Sequence, residues 1–169
     1  MLCSETATGS FPVESLVTAS RICRNAEAAM NYSTVHSFIR DFSAKPFNTI
    51  QAAAVAVAKA CTDAQLELVV VVSDSGEAAR VVTKYRPSVP LIVITSQAAV
   101  AANCALNFGQ RGMLVEGEAL SGAAASLTAR AVEWAKNQGI YKPGRIAVMH
   151  GGSKKADISN SAMIEILSV

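Results

Sequence analysis

Two short stretches of this chain carry residues suited to anion chemistry. The first is Ser73-Asp74-Ser75-Gly76, directly after the apolar run Leu68–Val72. In an open α/β sheet, ligands gather beyond the carboxyl ends of the strands, near helix N-termini. Two hydroxyls and the unpaired N–H groups of a helix start would there cradle a phosphate. The same residues admit a structural reading: Asp74 is followed three residues later by Glu77, the spacing of a capping box, and two carboxylates at a helix start would repel an anion. The second stretch is His150-Gly151-Gly152-Ser153-Lys154-Lys155, with two ammonium groups and an imidazole on a glycine-containing loop. It suits anion capture and equally reads as a solvated basic loop. The candidate phosphate- or effector-binding residues are therefore Ser73, Asp74, Ser75, Gly76, Lys154 and Lys155.

Nothing supports catalysis directly, and no catalytic or metal-ligating residue is assigned. The sequence contains no GxxxxGK[ST], no GxGxxG and no GxSxG. Of the two histidines, His36 sits in an aromatic segment and reads as a partly buried or surface residue rather than a base. Cys3, Cys23, Cys61 and Cys104 form no CxxC pair and read as buried, reduced thiols. Trp134, in phase with Leu127 and Ala131, reads as core or subunit interface.

Composition narrows the classes further. The 169 residues are 51% hydrophobic and 17% charged, with a formal net charge of +2. That length favours one sizeable core. The charge is small and dispersed, and aromatics make up only 5%, so neither a basic stripe nor a row of stacking platforms points to nucleic acid. The run Leu68–Val72 falls far short of the roughly 18 apolar residues a membrane helix needs, and the first twelve residues lack a signal-peptide pattern. A soluble, cytoplasmic protein without nucleic-acid or membrane partners is expected.

The elements that must position the candidates follow from periodicity. Leu16, Ala19, Cys23, Ala26 and Met30 recur at helical steps after Pro12. Residues 31–46 show no clean period and read as a connector. A helix is expected from Asn48, capped by its own side chain with Gln51 reaching back, and with Ile50, Ala54, Val57 and Cys61 inward. Leu68–Val72 and Leu91–Ile94 read as strands covered on both faces, joined by a short helix ending at Lys84. A helix over Gln97–Leu106, a strand over Met113–Val115, a helix over Ser121–Asn137 closed by Gly139, and strands over Ile146–Met149 and Met163–Val169 complete the order. The expected fold is a three-layer α/β architecture: an open, mostly parallel five-stranded sheet with helices on both faces. The last strand, reached by the loop Gly151–Asn160, is expected to be antiparallel at an edge.

Two segments then point to a family. Ser75-Gly76-Glu77-Ala78-Ala79-Arg80-Val81-Val82-Thr83-Lys84-Tyr85-Arg86-Pro87-Ser88-Val89-Pro90-Leu91-Ile92-Val93-Ile94-Thr95 resembles the pyruvate kinase pattern SG-x-x-A, a helix, YRP-x-x-P-I and a strand ending in Thr. Met1-Leu2-Cys3-Ser4-Glu5-Thr6-Ala7-Thr8-Gly9-Ser10-Phe11-Pro12 resembles that family's ML-S-x-ETA-x-G-x-YP segment, which closes the catalytic barrel. The resemblance implies a remnant of the barrel's end and its exit helix over residues 1–30 and a C-terminal α/β domain over 31–169. A (β/α)8 barrel needs about 200 residues or more, so the chain is expected to be inactive alone. In the whole enzyme, phosphoryl transfer from phosphoenolpyruvate to ADP, with Mg2+ and K+, would fall to the missing barrel; no cofactor is expected in this chain.

The resemblance also implies partners: the barrel, identical subunits across a two-fold contact within a homotetramer, and a sugar-phosphate effector. The family's effector loop falls on Ser73–Ala78, with a second contribution from the loop His150–Ser159. The form that responds to fructose 1,6-bisphosphate usually has a loop rich in hydroxyls and lysine. Here Asp74, Glu77 and Ala78 stand in those places, so response to that bisphosphate is expected to be weak or absent. The alternative reading is a stand-alone α/β sugar-phosphate-binding module descended from such a domain.

Overall fold

The computed structural model describes residues 2–115, 120, 124–151 and 161–169. The chain divides into two compact units, Met1–Asn31 and Tyr32–Val169. In the first, a short helix α1 (Ser4–Ala7) precedes α2 (Pro12–Ala28), which begins on a proline whose missing N–H costs nothing at a helix start. No residue of α2 is buried, and Leu16, Val17 and Ile22 are exposed. Cys3 and Cys23 are exposed as well, against the expectation of buried thiols; only Cys61 and Cys104 are buried.

The second unit starts with a helix. Residues 32–41, expected to be a connector, form helix α3 (Tyr32–Asp41). Its periodicity was disguised because a histidine occupies the inward face while two aromatics occupy the outward one. His36 is only 2% exposed, more deeply placed than expected, and its Nε2 lies 3.1 Å from the Val55 carbonyl oxygen. A carbonyl can only accept, so Nε2 carries the donated proton. Phe38 and Phe42 are exposed and lie against each other at 4.6 Å between centroids.

Helix α4 (Thr49–Asp63) begins with the expected capping box: Gln51 N donates to Asn48 Oδ1 at 2.8 Å, and Asn48 N donates to Gln51 Oε1 at 3.2 Å. The strands are β1 (Leu66–Val72), β2 (Leu91–Thr95), β3 (Gln110–Leu114), β4 (Arg145–Gly151) and β5 (Ala162–Ser168). Their order is β3-β2-β1-β4-β5. The first four are parallel, and β5 pairs antiparallel with β4 at the edge, as expected. The crossovers use α5 (Glu77–Lys84), then α6 (Ala98–Asn103) with a 3-10 turn at Cys104–Leu106, then α7 (Ala124–Asn137).

Strand alternation divides the core into two layers. Val69, Val71, Leu91, Val93, Ala147 and Met149 pack with Ile50, Ala54, Val57 and Cys61 of α4 and with Ala78, Ala79 and Val82 of α5. Leu68, Val70, Ile92, Ile94, Ile146 and Val148 pack with Leu127, Ala131 and Ala135 of α7, and Trp134 is partly buried against that layer. At the end of α7, Ile140 N donates to Ala135 O and Gly139 N to Lys136 O, with Gly139 at φ +67°. This is a Schellman closure, as the glycine suggested.

Strand β3 begins three residues earlier than Met113. Its first residue, Gln110, is polar yet 1% exposed, because Gln110 Nε2 donates to Thr83 Oγ1 at 2.8 Å. Gly112 has no side chain because α6 lies against it: a Cβ there would sit 2.2 Å from Ala101 O. Gly112→Ala is therefore expected to lower stability by about 1–3 kcal/mol through forced backbone displacement, measured by urea denaturation. An unchanged midpoint would mean that α6 moves away freely.

Burial pushes the Cys61 thiol up to about 12 and raises that of Cys104, so neither forms thiolate near neutral pH. Under native conditions at pH 8, a thiol reagent is expected to label Cys3 and Cys23 rapidly and Cys61 only after unfolding. Mass spectrometry of quenched samples reads this directly, and rapid native labelling of Cys61 would contradict the core as described.

Candidate functional site

The turn after β1 is built from the strand outward. Ser73 is 3% exposed, and its N–H donates to Ile94 O at 3.0 Å, extending the ladder to β2. Its hydroxyl oxygen accepts from Gly76 N at 3.1 Å, while Ser75 Oγ accepts from Glu77 N at 3.3 Å. Gly76 stands immediately before α5 with φ +70°, in the left-handed region that favours glycine. A Cβ at that position would also lie 2.7 Å from Val100 Cγ1. The two serines thus satisfy two of the amides a phosphate would engage.

Asp74 does not cap α5, contrary to the capping-box reading. The left-handed Gly76 makes Glu77 the first helical residue, and no side-chain cap is present. Asp74 Oδ1 instead accepts from Ser96 Oγ at 2.6 Å and from Ser96 N at 3.2 Å. Thr95 Oγ1 in turn donates to Asp74 O at 3.3 Å and accepts from Gln97 N at 3.1 Å. The carboxylate therefore ties the turn after β1 to the turn after β2. Thr95 and Ser96 were missed because their partner lies 21 or 22 positions away; the only local hint is a polar pair at the end of a buried strand.

Ser73, Asp74, Ser75 and Gly76 are thus brought together. Lys154 and Lys155 lie outside the described residues, as does most of the second candidate loop. His150, at the end of β4, places Nε2 3.3 Å from Glu165 Oε1 of β5. The topology nevertheless gives the first turn a defined place. From β1 the chain winds outward to β2 and β3, then returns to lay β4 on the other side of β1. The C-terminal ends of β1 and β4 are neighbours, with Val71 opposite Met149. That reversal of winding is where doubly wound sheets leave a crevice for ligands.

A mostly parallel sheet wound in both directions from β1 defines a doubly wound α/β domain. Residues 50–167 match the family described as "Pyruvate kinase, alpha/beta domain". The chain belongs to the pyruvate kinase family. It is 29% identical to a pyruvate kinase of Dictyostelium discoideum over its whole length, which is 33% of that protein, and 31% identical to pyruvate kinase 1 of Candida glabrata over 98% of this chain and 34% of that one. A pyruvate kinase from Cryptosporidium parvum superposes with a TM-score of 0.88 at 25% identity, over 99% of this chain and 32% of that chain. The chain thus spans about a third or less of these relatives.

The Asp74–Ser96 clip makes a direct prediction. Asp74→Ala leaves the Ser96 donors without their charged acceptor and is expected to cost about 1–3 kcal/mol. Asp74→Asn keeps an oxygen acceptor and should lose clearly less. Equal stability of wild type and Asp74→Ala by chemical denaturation would show that the clip contributes nothing.

Proposed function

We propose that this chain is the C-terminal domain of a pyruvate kinase and serves subunit contact and effector binding rather than chemistry. The observation that carries the subunit-contact role is β5. Among the described residues it has a free edge, and it is apolar on both faces: Ile164 and Ile166 alternate with Met163 and Leu167, each 37–49% exposed. Glu165 is the only charged residue in the strand. A long apolar edge strand left open is an invitation to pair with another chain, and a second copy presenting the same strand would close it by two-fold symmetry. Such a contact closes a dimer; a homotetramer would need a second two-fold interface beside it.

The effector role rests on the position of Ser73–Gly76 at the switch point. It favours a sugar phosphate whose anion lies away from Asp74 and Glu77, with Lys154 and Lys155 the cations the sequence offers it. The phosphoryl transfer of the whole enzyme belongs to a barrel in this reading. Among the described residues no three His, Cys, Asp or Glu side chains gather as a metal site. No helix among the described residues is long and apolar enough to cross a membrane.

Analytical ultracentrifugation is expected to find a dimer or larger assembly that Ile166→Lys dissociates. A monomeric wild type would overturn the subunit-contact reading. Calorimetric titration with sugar phosphates is expected to give heat that Ser75→Ala diminishes, with fructose 1,6-bisphosphate a poor ligand; absence of heat from every one would end the effector reading. Transfer from phosphoenolpyruvate to ADP by the chain alone should read zero.

A further inference from the structure

A hollow of about 110 Å3 opens between the start of α5 and the α6 segment. Gln110 and Cys104, both nearly inaccessible, line it together with Ser75, Arg80, Asn103 and Asn107. Gln110 is held in place: its Nε2 donates to Thr83 Oγ1 at 2.8 Å, and Thr83 Oγ1 donates to Phe108 O at 3.4 Å. The buried amide keeps its acceptor, Oε1, and a second N–H for the hollow it lines. Ser75 Oγ accepts from Glu77 N, a bond that leaves its own proton available. Asn107 Nδ2 gives one N–H to Asn103 O at 3.0 Å and keeps a second. The Cys104 thiol, turned to Val100 O at 3.2 Å, adds a soft apolar surface. Arg80 is exposed, and no carboxylate lines the hollow among the described residues.

We propose that this hollow binds a small hydroxylated monocarboxylate. A guanidinium is the best single partner for a planar carboxylate, which it grips with two parallel N–H groups. A ligand hydroxyl, which both donates and accepts, matches the remaining Oε1 and N–H of the buried Gln110 amide. One guanidinium balances one negative charge, and Glu77, one turn before Arg80 on α5, disfavours a second. A hollow of about 110 Å3 suits a small acid. The inference is independent of the sugar-phosphate reading: it shares Ser75 and Gly76 with that turn but uses the α6 side.

The test is titration of the chain with glycolate and L-lactate, followed by 1H–15N correlation spectra. Acetate serves as the hydroxyl-free comparison and inorganic phosphate as the rival anion. Saturable shifts confined to residues 75–80 and 103–110 are expected, with acetate binding several-fold more weakly than glycolate. Arg80→Gln, at an exposed position, should keep the native spectrum and weaken glycolate binding about tenfold or more. The proposal is overturned by the absence of saturable shifts, by shifts centred elsewhere, by unchanged affinity in Arg80→Gln, or by acetate or phosphate binding as tightly as glycolate. Sugar phosphates are titrated separately, so failure of either reading leaves the other standing.

Discussion

Everything in the larger unit is registered on β1. Leu68, Val69, Val70 and Val71 are wholly buried, and the strand carries parallel partners on both edges. A strand covered on both faces and paired on both sides has no polar direction left to it. Its backbone groups are satisfied by β2 and β4, and its side chains by α4 and α5 on one face and α7 on the other. Because side chains alternate, a slip of one residue would exchange the two helical layers. The position of the turn that follows, Ser73–Gly76, is inherited from that constraint.

That turn is satisfied largely from within. Ser73 and Ser75 take up the amides of Gly76 and Glu77, and Asp74 reaches sideways to Ser96. A ligand phosphate arriving here would exchange its own oxygens for the serine hydroxyls, so its net gain would be smaller than at a bare helix start. The clip also gives Asp74 a structural reason to be acidic. The carboxylate is committed to joining two turns.

Much of the architecture was legible in the residues because it follows from local patterns. Leu68–Val72 and Leu91–Ile94 could only be two-sided strands, Asn48 and Gln51 stood at the spacing of a reciprocal cap, and Gly139 marked the end of α7. The failures share one cause. In α3 the buried position is a histidine and the exposed ones are phenylalanines, so hydrophobicity pointed the wrong way. In β3 the buried Gln110 relies on Thr83, 27 residues earlier. In the turn, Asp74 and Glu77 matched a local motif, but the carboxylate found a partner 22 positions away.

The sequence by itself determined the order of elements, the two-sided burial of the central strands, the antiparallel edge and the family likeness, since each is written in the spacing of neighbouring residues. It also singled out Ser73–Gly76 from the types of residue following a buried strand. Only the tertiary structure decided what those residues do to one another. It set the serines on the turn's own amides and Asp74 on Ser96, and it enclosed the hollow between α5 and α6. The reason is physical: a polar side chain takes the best-placed partner in space, and parallel strands bring residues some twenty positions apart within hydrogen-bonding distance.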